Sequence, residues 1–412
     1  MLNSRKDTTL FGTPTPGITD LIPGAPSIEI LNSVSKIVME ATEKLLISEY
    51  GLGGDNSSLQ YGPRLGSPIF HKSLADFLSK LYGEKVDNNH ILPTSGATHG
   101  LQLTASLFFD SNNVVFVEDP THFLAMKILR EDIGMKVVPV NCDDEGMIIK
   151  DLQEKLEDMG KYIKCSGKSD FKGMVYLIPT FHNPTSRTMS ETRCKSMVEL
   201  AKRENLLLFS DDVYNLLHYD HTAKKPPSRL FTYDKDGNNV ISNGTFTKIL
   251  CPGLRLGWIE TSENLLKKFY NSGTISSSGS SNHYMSCVIA MAIKMGLVSE
   301  HINKLKKQYS QSLNQMYSIF IKEAPFVKIH KPKGGYFFWI RMPDDFDGFE
   351  IAKKCRENHK VNVLPGSVFS ASGNFKNYLR VSYSHYSTEI LCEATKSLCK
   401  TLNNSFKQHK KT

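Results

Sequence analysis

The sequence lacks the features that mark several specialised classes of protein. None of its eight cysteines stands in a Cys-x-x-Cys pair, so the spacing predicts neither a zinc site nor a disulfide framework, and we expect reduced thiols. No apolar run is long enough to cross a bilayer, and no hydrophobic segment of a secretory signal follows the first ten residues. We therefore expect a cytoplasmic protein without a membrane partner.

The chain also carries little excess charge. Its 50 basic and 42 acidic residues give a formal charge of +8, part of it in the C-terminal segment 407–411. A basic tail is usually a solvated surface, and no helix-turn-helix or zinc-finger signature precedes the main body. We expect no nucleic-acid partner. A length of 412 residues favours two domains.

Short apolar runs alternate with helical patterns through the middle of the chain. The predicted strands are 114–118, 136–140, 174–179, 206–210 and 239–242. The predicted helices are 28–47, 68–82, 98–109, 121–133, 190–204 and 263–269. This alternation favours an α/β fold, in which helices cover both faces of a mostly parallel sheet and ligands bind beyond the carboxyl ends of the strands.

The remaining segments predict a second, smaller region. A long irregular stretch at 51–68, rich in glycine, follows the first helix, and such stretches inside compact domains are usually functional. After a helical region at 282–321, the predicted strands 335–341 and 378–382 and the predicted helices 349–357 and 388–404 form a small α+β region.

The most informative segment is 242–258, SNGTFTKILCPGLRLGW. Taken alone, Lys248 is typical of a solvated turn. A lysine that forms a Schiff base must lose its proton, which burial and nearby positive charge favour. Arg255 could bind a phosphate in bidentate fashion, and Thr245 and Thr247 could add hydroxyl donors. Together these residues offer the groups that a Schiff base and a phosphate need.

This segment resembles the S-x-S-K-x-x-x-P-G-x-R-x-G motif of the class I/II aminotransferases, which are fold type I enzymes of pyridoxal 5′-phosphate (PLP). The resemblance covers roughly residues 20–400. It implies that Lys248 holds PLP as an internal aldimine and that Arg255, Thr245 and Thr247 bind at its phosphate end. It also implies a mostly parallel seven-stranded sheet in a large domain at 48–290. A small α+β domain would be formed by 291–412 with the N-terminal segment 1–47.

Two further motifs match the family at the cofactor ring. The segment Asp211-Asp-Val-Tyr214 resembles D-x-x-Y, which implies that Asp211 pairs with the pyridine nitrogen and that Tyr214 hydrogen-bonds the 3′-oxygen. An acidic residue after a strand is also often a helix cap, which is the alternative for Asp212. The segment 176–185 resembles P-x-x-x-N-P-T-G, which implies that Asn183 contacts the 3′-oxygen and the substrate carboxylate and that the bond to Pro184 is cis.

Two loops resemble family motifs, and the second departs from its motif at one position. Gly96, Ala97 and Thr98 lie between a strand and a helix start, where free backbone N–H groups bind phosphate, and the resemblance implies that they do so here. The segment 118–123 resembles E-x-P-T-Y. His122 stands at the position of the aromatic residue that stacks on the PLP ring, and a shift of one residue would use Phe123 instead.

Three single residues complete the site by resemblance. Tyr61, in LQYG, matches the tyrosine that reaches the phosphate of the neighbouring subunit, which implies a homodimer; alone, it would be interpreted as packed under a loop. Arg380 matches the arginine that binds the substrate α-carboxylate, although most strand arginines lie on the surface. Gly24 resembles the glycine whose backbone approaches the substrate.

The activity that follows is aminotransfer from an α-amino acid to a 2-oxo acid, through the Lys248 aldimine and a 1,3-proton transfer. The motifs look most similar to the α-aminoadipate/kynurenine aminotransferase branch. Two alternatives remain open: a PLP-dependent β-carbon–sulfur lyase, which uses the same groups, and a non-catalytic PLP-sensing regulatory module. No residue can be assigned to a distal substrate carboxylate, and no metal site is expected.

Overall fold

The computed structural model describes residues 16–51, 56–160, 165, 167–219, 225–278 and 281–409. Within them the strands are β1 (Thr19–Asp20), β2 (Ile91–Thr94), β3 (Val114–Asp119), β4 (Lys136–Asp143), β5 (Gly146–Met147), β6 (Gly173–Leu177), β7 (Leu206–Asp211), β8 (Val240–Thr245), β9 (Gly257–Glu260), β10 (Lys328–Ile329), β11 (Phe337–Arg341), β12 (Val361–Asn362), β13 (Leu364–Pro365) and β14 (Tyr378–Ser382). The helices are α1 (Ile28–Gly51), α2 (Pro68–Tyr82), α3 (Ala97–Phe108), α4 (Phe123–Lys127), α5 (Ile149–Met159), α6 (Glu191–Glu204), α7 (Glu263–Tyr270), α8 (Gly273–Ser278), α9 (His283–Lys294), α10 (Leu297–Glu323), α11 (Gly348–His359) and α12 (Thr388–His409).

The main sheet has the strand order β2-β9-β8-β7-β6-β3-β4-β5. Its strands are parallel except for β9, which is antiparallel to both neighbours, and β5, which forms a short hairpin with β4. The predicted α/β fold is therefore confirmed. The sheet has one strand more than the expected seven, because the two-residue β5 adds an edge that is too short to give a sequence pattern.

Alternate residues along the central strands face two different apolar layers, as a period of two requires. Val114 and Phe116 of β3 join the layer that contains residues of α5 and α6, whereas Val115 and Val117 join the larger layer on the opposite face. Both faces of the sheet are thus covered, which explains why these strands read as continuous apolar runs.

Two smaller sheets lie outside the main one. Strands β10, β11, β14 and β13 form an antiparallel sheet, and β1 pairs in parallel with β12. The pairing of β1 with β12 joins the N-terminal segment to the C-terminal part of the chain. The predicted division at 48–290 stays a prediction, and its second boundary falls inside α9.

Some predicted elements differ from the observed ones in detail. The predicted helix 121–133 is the short α4 followed by a π-helical turn at 128–132. The helical region 282–321 is two helices, because Gly296 has a φ of 78° and ends the run between α9 and α10. Of the predicted glycine-rich stretch, residues 52–55 lie outside the described residues, as do Lys410 and Lys411 of the basic tail.

Among the described residues no single helix is long and apolar enough to span a membrane. The pair α9 and α10 meets the length and composition criteria only together, with a bend of 79° between them.

Gly244 of β8 gives a test of the packing beneath the site. A Cβ atom there would lie 2.2 Å from the ring of Trp258, the residue of β9 that pairs with Gly244. We expect Gly244→Ala to lower the free energy of unfolding by about 2 kcal/mol or more, because the buried Trp258 ring has to move. Urea unfolding measures this. In Gly273→Ala, the control, the new methyl group would meet nothing within 4 Å; equal destabilisation of the two variants would contradict the prediction.

Candidate active site

The candidate residues lie at the carboxyl edge of the main sheet. Asp211 ends β7, Thr245 ends β8 with Lys248 three residues later, and β2 leads through Gly96 into α3. Parallel strands end at the same edge, so residues far apart in the sequence meet there.

The Lys248 amine is enclosed by uncharged groups. Its Nζ donates to the Gly24 carbonyl oxygen at 2.7 Å and lies 5.9 Å from the ring of Tyr214 and 5.8 Å from that of Tyr336. Tyr336 also fixes the backbone, because its hydroxyl donates to the Lys248 carbonyl at 2.6 Å. Burial, followed by the charge of Arg380, lowers the pKa of Lys248 to about 8. About a tenth of the amine is therefore unprotonated at pH 7.

Asp211 is a buried carboxylate with a hydrogen-bond donor on each oxygen. The Tyr176 hydroxyl donates to Oδ2 at 2.7 Å, and Asn243 Nδ2 donates to Oδ1 at 2.8 Å. Burial raises the pKa of Asp211 to about 6, while these two donors act in the opposite direction. The carboxylate can therefore be largely ionised at neutral pH although it is removed from water.

Asp212 turns away from this arrangement. Its oxygens accept hydrogen bonds from the hydroxyls of Ser210 at 3.0 Å and Ser242 at 2.5 Å. The expectation that Asp212 caps a helix is wrong, because no helix begins in the described residues 212–219 that follow β7, and the serine hydroxyls occupy its oxygens.

Arg380 is buried between two aromatic rings. Its guanidinium carbon lies 3.9 Å from the centre of the Phe337 ring and 4.8 Å from that of Phe369. Nη1 donates to Asn183 Oδ1 at 2.9 Å and Nη2 to the Ile22 carbonyl at 2.6 Å, while Nε has no hydrogen-bond partner among the described residues. Burial lowers the pKa of Arg380 to about 9. An unpaired buried N–H of this kind suits an anionic ligand.

His122, rather than Phe123, faces these charged residues. Asn183 Nδ2 lies 3.2 Å from His122 Nδ1, whereas Phe123 packs edge-on against Phe369 with ring centres 5.3 Å apart. Burial, then the charges of Arg380 and Lys248, lowers the pKa of His122 to about 3. The imidazole is therefore neutral and can accept at Nδ1 from the Asn183 amide. The bond between Asn183 and the following proline is cis, as predicted.

The start of α3 and the Arg255 side chain lie close together. Gly96, with a φ of 85°, precedes the helix, and a Cβ atom there would lie 3.0 Å from Arg255 Nη2. Ala97 is partly buried and Thr98 exposed at the first turn. The hydroxyls of Thr245 and Thr247 are 3.0 Å apart.

Gly24 and Tyr61 differ in how they relate to the rest of the site. A Cβ atom at Gly24 would lie 2.5 Å from the Phe337 ring, so the close approach of this backbone to Lys248 requires glycine. The Tyr61 side chain is 83% exposed. The interpretation that it packs under its loop is therefore wrong.

Sequence reasoning missed the residues that hold the charged groups in place. Tyr176, Asn243 and Tyr336 donate to Asp211 or Lys248, and Phe337 and Phe369 enclose Arg380. The available signal was a polar group inside an otherwise apolar strand, because a buried tyrosine hydroxyl or amide needs a partner.

These groups fit PLP. The start of α3 with Arg255 suits a phosphate dianion, Asp211 suits a protonated ring nitrogen, and Lys248 offers an amine for the aldehyde.

Comparison with known proteins decides the family. Residues 20–398 match the model of the aminotransferases of class I and II. The chain belongs to this family. The aromatic-amino-acid aminotransferase 1 of Thermococcus litoralis is 29% identical over 385 residues, which cover 92% of this chain and 86% of that protein. The solved structure of the kynurenine aminotransferase of Pyrococcus horikoshii has a TM-score of 0.82 at 28% identity and covers 95% of this chain and 92% of that chain.

The expected cofactor and reaction type are thereby confirmed: the protein is a PLP-dependent aminotransferase. A relative with a different name is the HTH-type transcriptional regulator YjiR of Escherichia coli, which is 30% identical over 320 residues. The match covers 77% of this aminotransferase but 64% of the regulator, so the regulatory module remains only an alternative.

The charge state of His122 can be measured directly. We expect its imidazole to stay neutral from about pH 8 down to about pH 5 in the apoprotein, because burial and two neighbouring cations oppose protonation. NMR of histidine-labelled protein would follow the titration, with His122→Gln used to assign the signal. A midpoint at about pH 6.5, the usual value for histidine, would contradict this prediction.

Proposed function

We propose that Lys248 is the catalytic lysine of this aminotransferase and that it moves the amino group of an α-amino acid to a 2-oxo acid together with Arg380 and Asn183. The observation that carries the proposal is the Lys248 amine, which is held at the Gly24 carbonyl with its pKa lowered to about 8. A general base works best when its pKa lies near the working pH.

PLP, when bound, supplies an aldehyde that joins to amines and a ring that accepts the electron pair of the substrate Cα–H bond. Lys248 provides the amine that holds the cofactor between reactions. Once the substrate amine has displaced it, Lys248 takes the proton from the substrate Cα and returns it to C4′ of the cofactor. The flexible side chain of Lys248 would let this single residue serve first as base and then as acid.

Arg380 binds the α-carboxylate of the substrate through its unpaired Nε and its Nη groups, with Asn183 beside it. The rings of Phe337 and Phe369 keep the guanidinium in one orientation before the substrate arrives, which reduces the entropy lost on binding. The Gly24 backbone lies on the same side, next to the Lys248 amine.

The remaining residues hold the cofactor. Asp211 would keep the ring nitrogen of bound PLP protonated, Tyr214 and Asn183 would contact its 3′-oxygen, and the neutral His122 ring would lie against the pyridine. Backbone N–H groups and side chains of Gly96, Ala97, Thr98, Thr245, Thr247 and Arg255 would bind its phosphate.

An aromatic α-amino acid is the first donor to test. The relatives named above act, by name, on aromatic amino acids and kynurenine, and the Arg380 guanidinium of this chain is enclosed by phenyl rings. We also propose a cytoplasmic location, which is supported by the absence of a disulfide bond among the eight cysteines, all of them described residues.

We expect Lys248→Ala to lower kcat for transamination by about 100-fold or more, because the general base and the covalent attachment are both lost. The assay follows a panel of amino donors with 2-oxoglutarate or pyruvate. Borohydride reduction of the wild type should link the cofactor to the peptide containing Lys248. Undiminished turnover in the variant would refute the proposal. Release of ammonia and pyruvate from cystathionine without an oxo-acid acceptor would indicate the lyase instead.

We further propose that the aminotransferase is a homodimer in which Tyr61 completes the phosphate site of the neighbouring subunit. Several large apolar side chains are exposed between residues 28 and 69. They are Ile28 and Met39 in α1, Leu59 and Tyr61 in the segment between α1 and α2, and Ile69 in α2. Such a concentration of exposed apolar side chains is typical of an interface.

Hybrid dimers test this sharing of sites. We expect Tyr61→Ala and Lys248→Ala proteins to be weakly active separately. After mixed refolding they should regain about a quarter of wild-type activity, because half of the dimers are hybrids with one intact site each. Size-exclusion chromatography with light scattering checks the dimer, and mixing Lys248→Ala with itself is the control. Activity that stays at the level of the separate variants would contradict a shared site.

A further inference from the structure

Asn243 connects two parts of the site that the known motifs treat separately. It lies in β8 opposite Asp211 of β7, and its side chain is fully buried. Its Nδ2 donates to Asp211 Oδ1 at 2.8 Å and to the Ala97 carbonyl at 3.1 Å. One amide group thus joins the carboxylate at the ring end of the site to the first turn of α3 at the phosphate end.

Folding alone gives little reason for an amide at this position. Asn243 Oδ1 is buried and has no hydrogen-bond partner among the described residues, and an unpaired buried acceptor lowers stability. The residue that packs against this oxygen is Gly100, where a Cβ atom would lie only 2.1 Å from Asn243 Oδ1. An apolar side chain of the same shape would avoid the unpaired oxygen. The two hydrogen bonds that Asn243 donates therefore give the reason for an amide at this position.

Tyr176 provides the comparison, because it contacts Asp211 without contacting α3. Its hydroxyl donates to Oδ2 of Asp211 at 2.7 Å. Tyr176 and Asn243 together fix both oxygens of the carboxylate and favour its ionised form. Only Asn243 also bonds to the backbone of α3.

We propose that Asn243 is a positioning residue that sets the distance between Asp211 and the start of α3, so that the ring nitrogen and the phosphate of one PLP molecule are bound together. This inference rests on the roles proposed above for Asp211 and for the loop at Gly96. It predicts that Asn243 affects both ends of the cofactor, whereas Tyr176 affects only the ring end.

Two ligands separate the two ends. PLP carries both groups, and its carbocyclic analogue, with CH in place of the ring nitrogen, keeps the aldehyde and the phosphate. Dissociation constants are measured with full-length apoprotein of the wild type, Asn243→Leu and Tyr176→Phe. We expect Tyr176→Phe to weaken PLP about 10-fold and to leave the analogue unchanged, because the lost hydrogen bond acts through a charged carboxylate. Asn243→Leu should weaken PLP by at least as much and also weaken the analogue by about 3-fold to 10-fold.

The visible spectrum gives a second readout, which reports on the ring end of the cofactor in both variants. The lost donor raises the pKa of Asp211 in both variants, so the ring nitrogen is protonated less firmly. The pH at which the visible spectrum of the holoenzyme changes should therefore move in Tyr176→Phe and in Asn243→Leu. A residue that served only to pack β8 would not move it.

The outcomes distinguish a failure of this proposal from a failure of the proposed role of Asp211. If Asn243→Leu binds the analogue as tightly as the wild type, the link to α3 is refuted. If Tyr176→Phe and Asp211→Asn weaken PLP and the analogue equally, Asp211 does not pair with the ring nitrogen, and the proposed role of Asp211 fails instead. Asn243→Ala also removes both donors and adds no charge beside Asp211, so it repeats the test if Asn243→Leu lowers the melting temperature of the apoprotein.

Discussion

Removal of three charged groups from water is the constraint on which this structure depends. Lys248, Asp211 and Arg380 lie together at the carboxyl edge of the main sheet, and burial is the largest cause of the pKa shift of each. An amine with a pKa of about 8 and a carboxyl with a pKa of about 6 can both exchange protons near neutral pH. In water neither group would do so.

Burial of charge is tolerated only where the surroundings supply hydrogen bonds or rings. Asp211 has a donor on each oxygen, Arg380 has two carbonyl-type acceptors and two aromatic faces, and Lys248 has the Gly24 carbonyl. The unsatisfied Nε of Arg380 is the exception. A group of this kind is expected where a ligand rather than the protein provides the partner.

The fold supports this site by joining distant parts of the chain at one edge. Gly24 precedes the first long helix, Asn183 follows β6, and Arg380 lies in β14 of the small antiparallel sheet. The small sheet therefore contributes the arginine, while the large sheet contributes Asp211 and the strand that leads to Lys248. The distance between Arg380 and Lys248 therefore depends on how the two sheets pack against each other.

The sequence by itself determined the local features. It set the bounds of α2, where Pro68 starts the helix and Gly83 ends it, and the bounds of β14. Resemblance to the family motifs also predicted Lys248, Asp211, Asn183, Arg255 and Arg380 as site residues. Each of these residues stands within or close to a strand of its own. Only the tertiary structure decided that His122 rather than Phe123 faces the site and that Tyr176 and Asn243 hold Asp211. Those contacts join residues 32 to 61 positions apart, and a partner across strands follows from register and packing, which a local pattern does not encode.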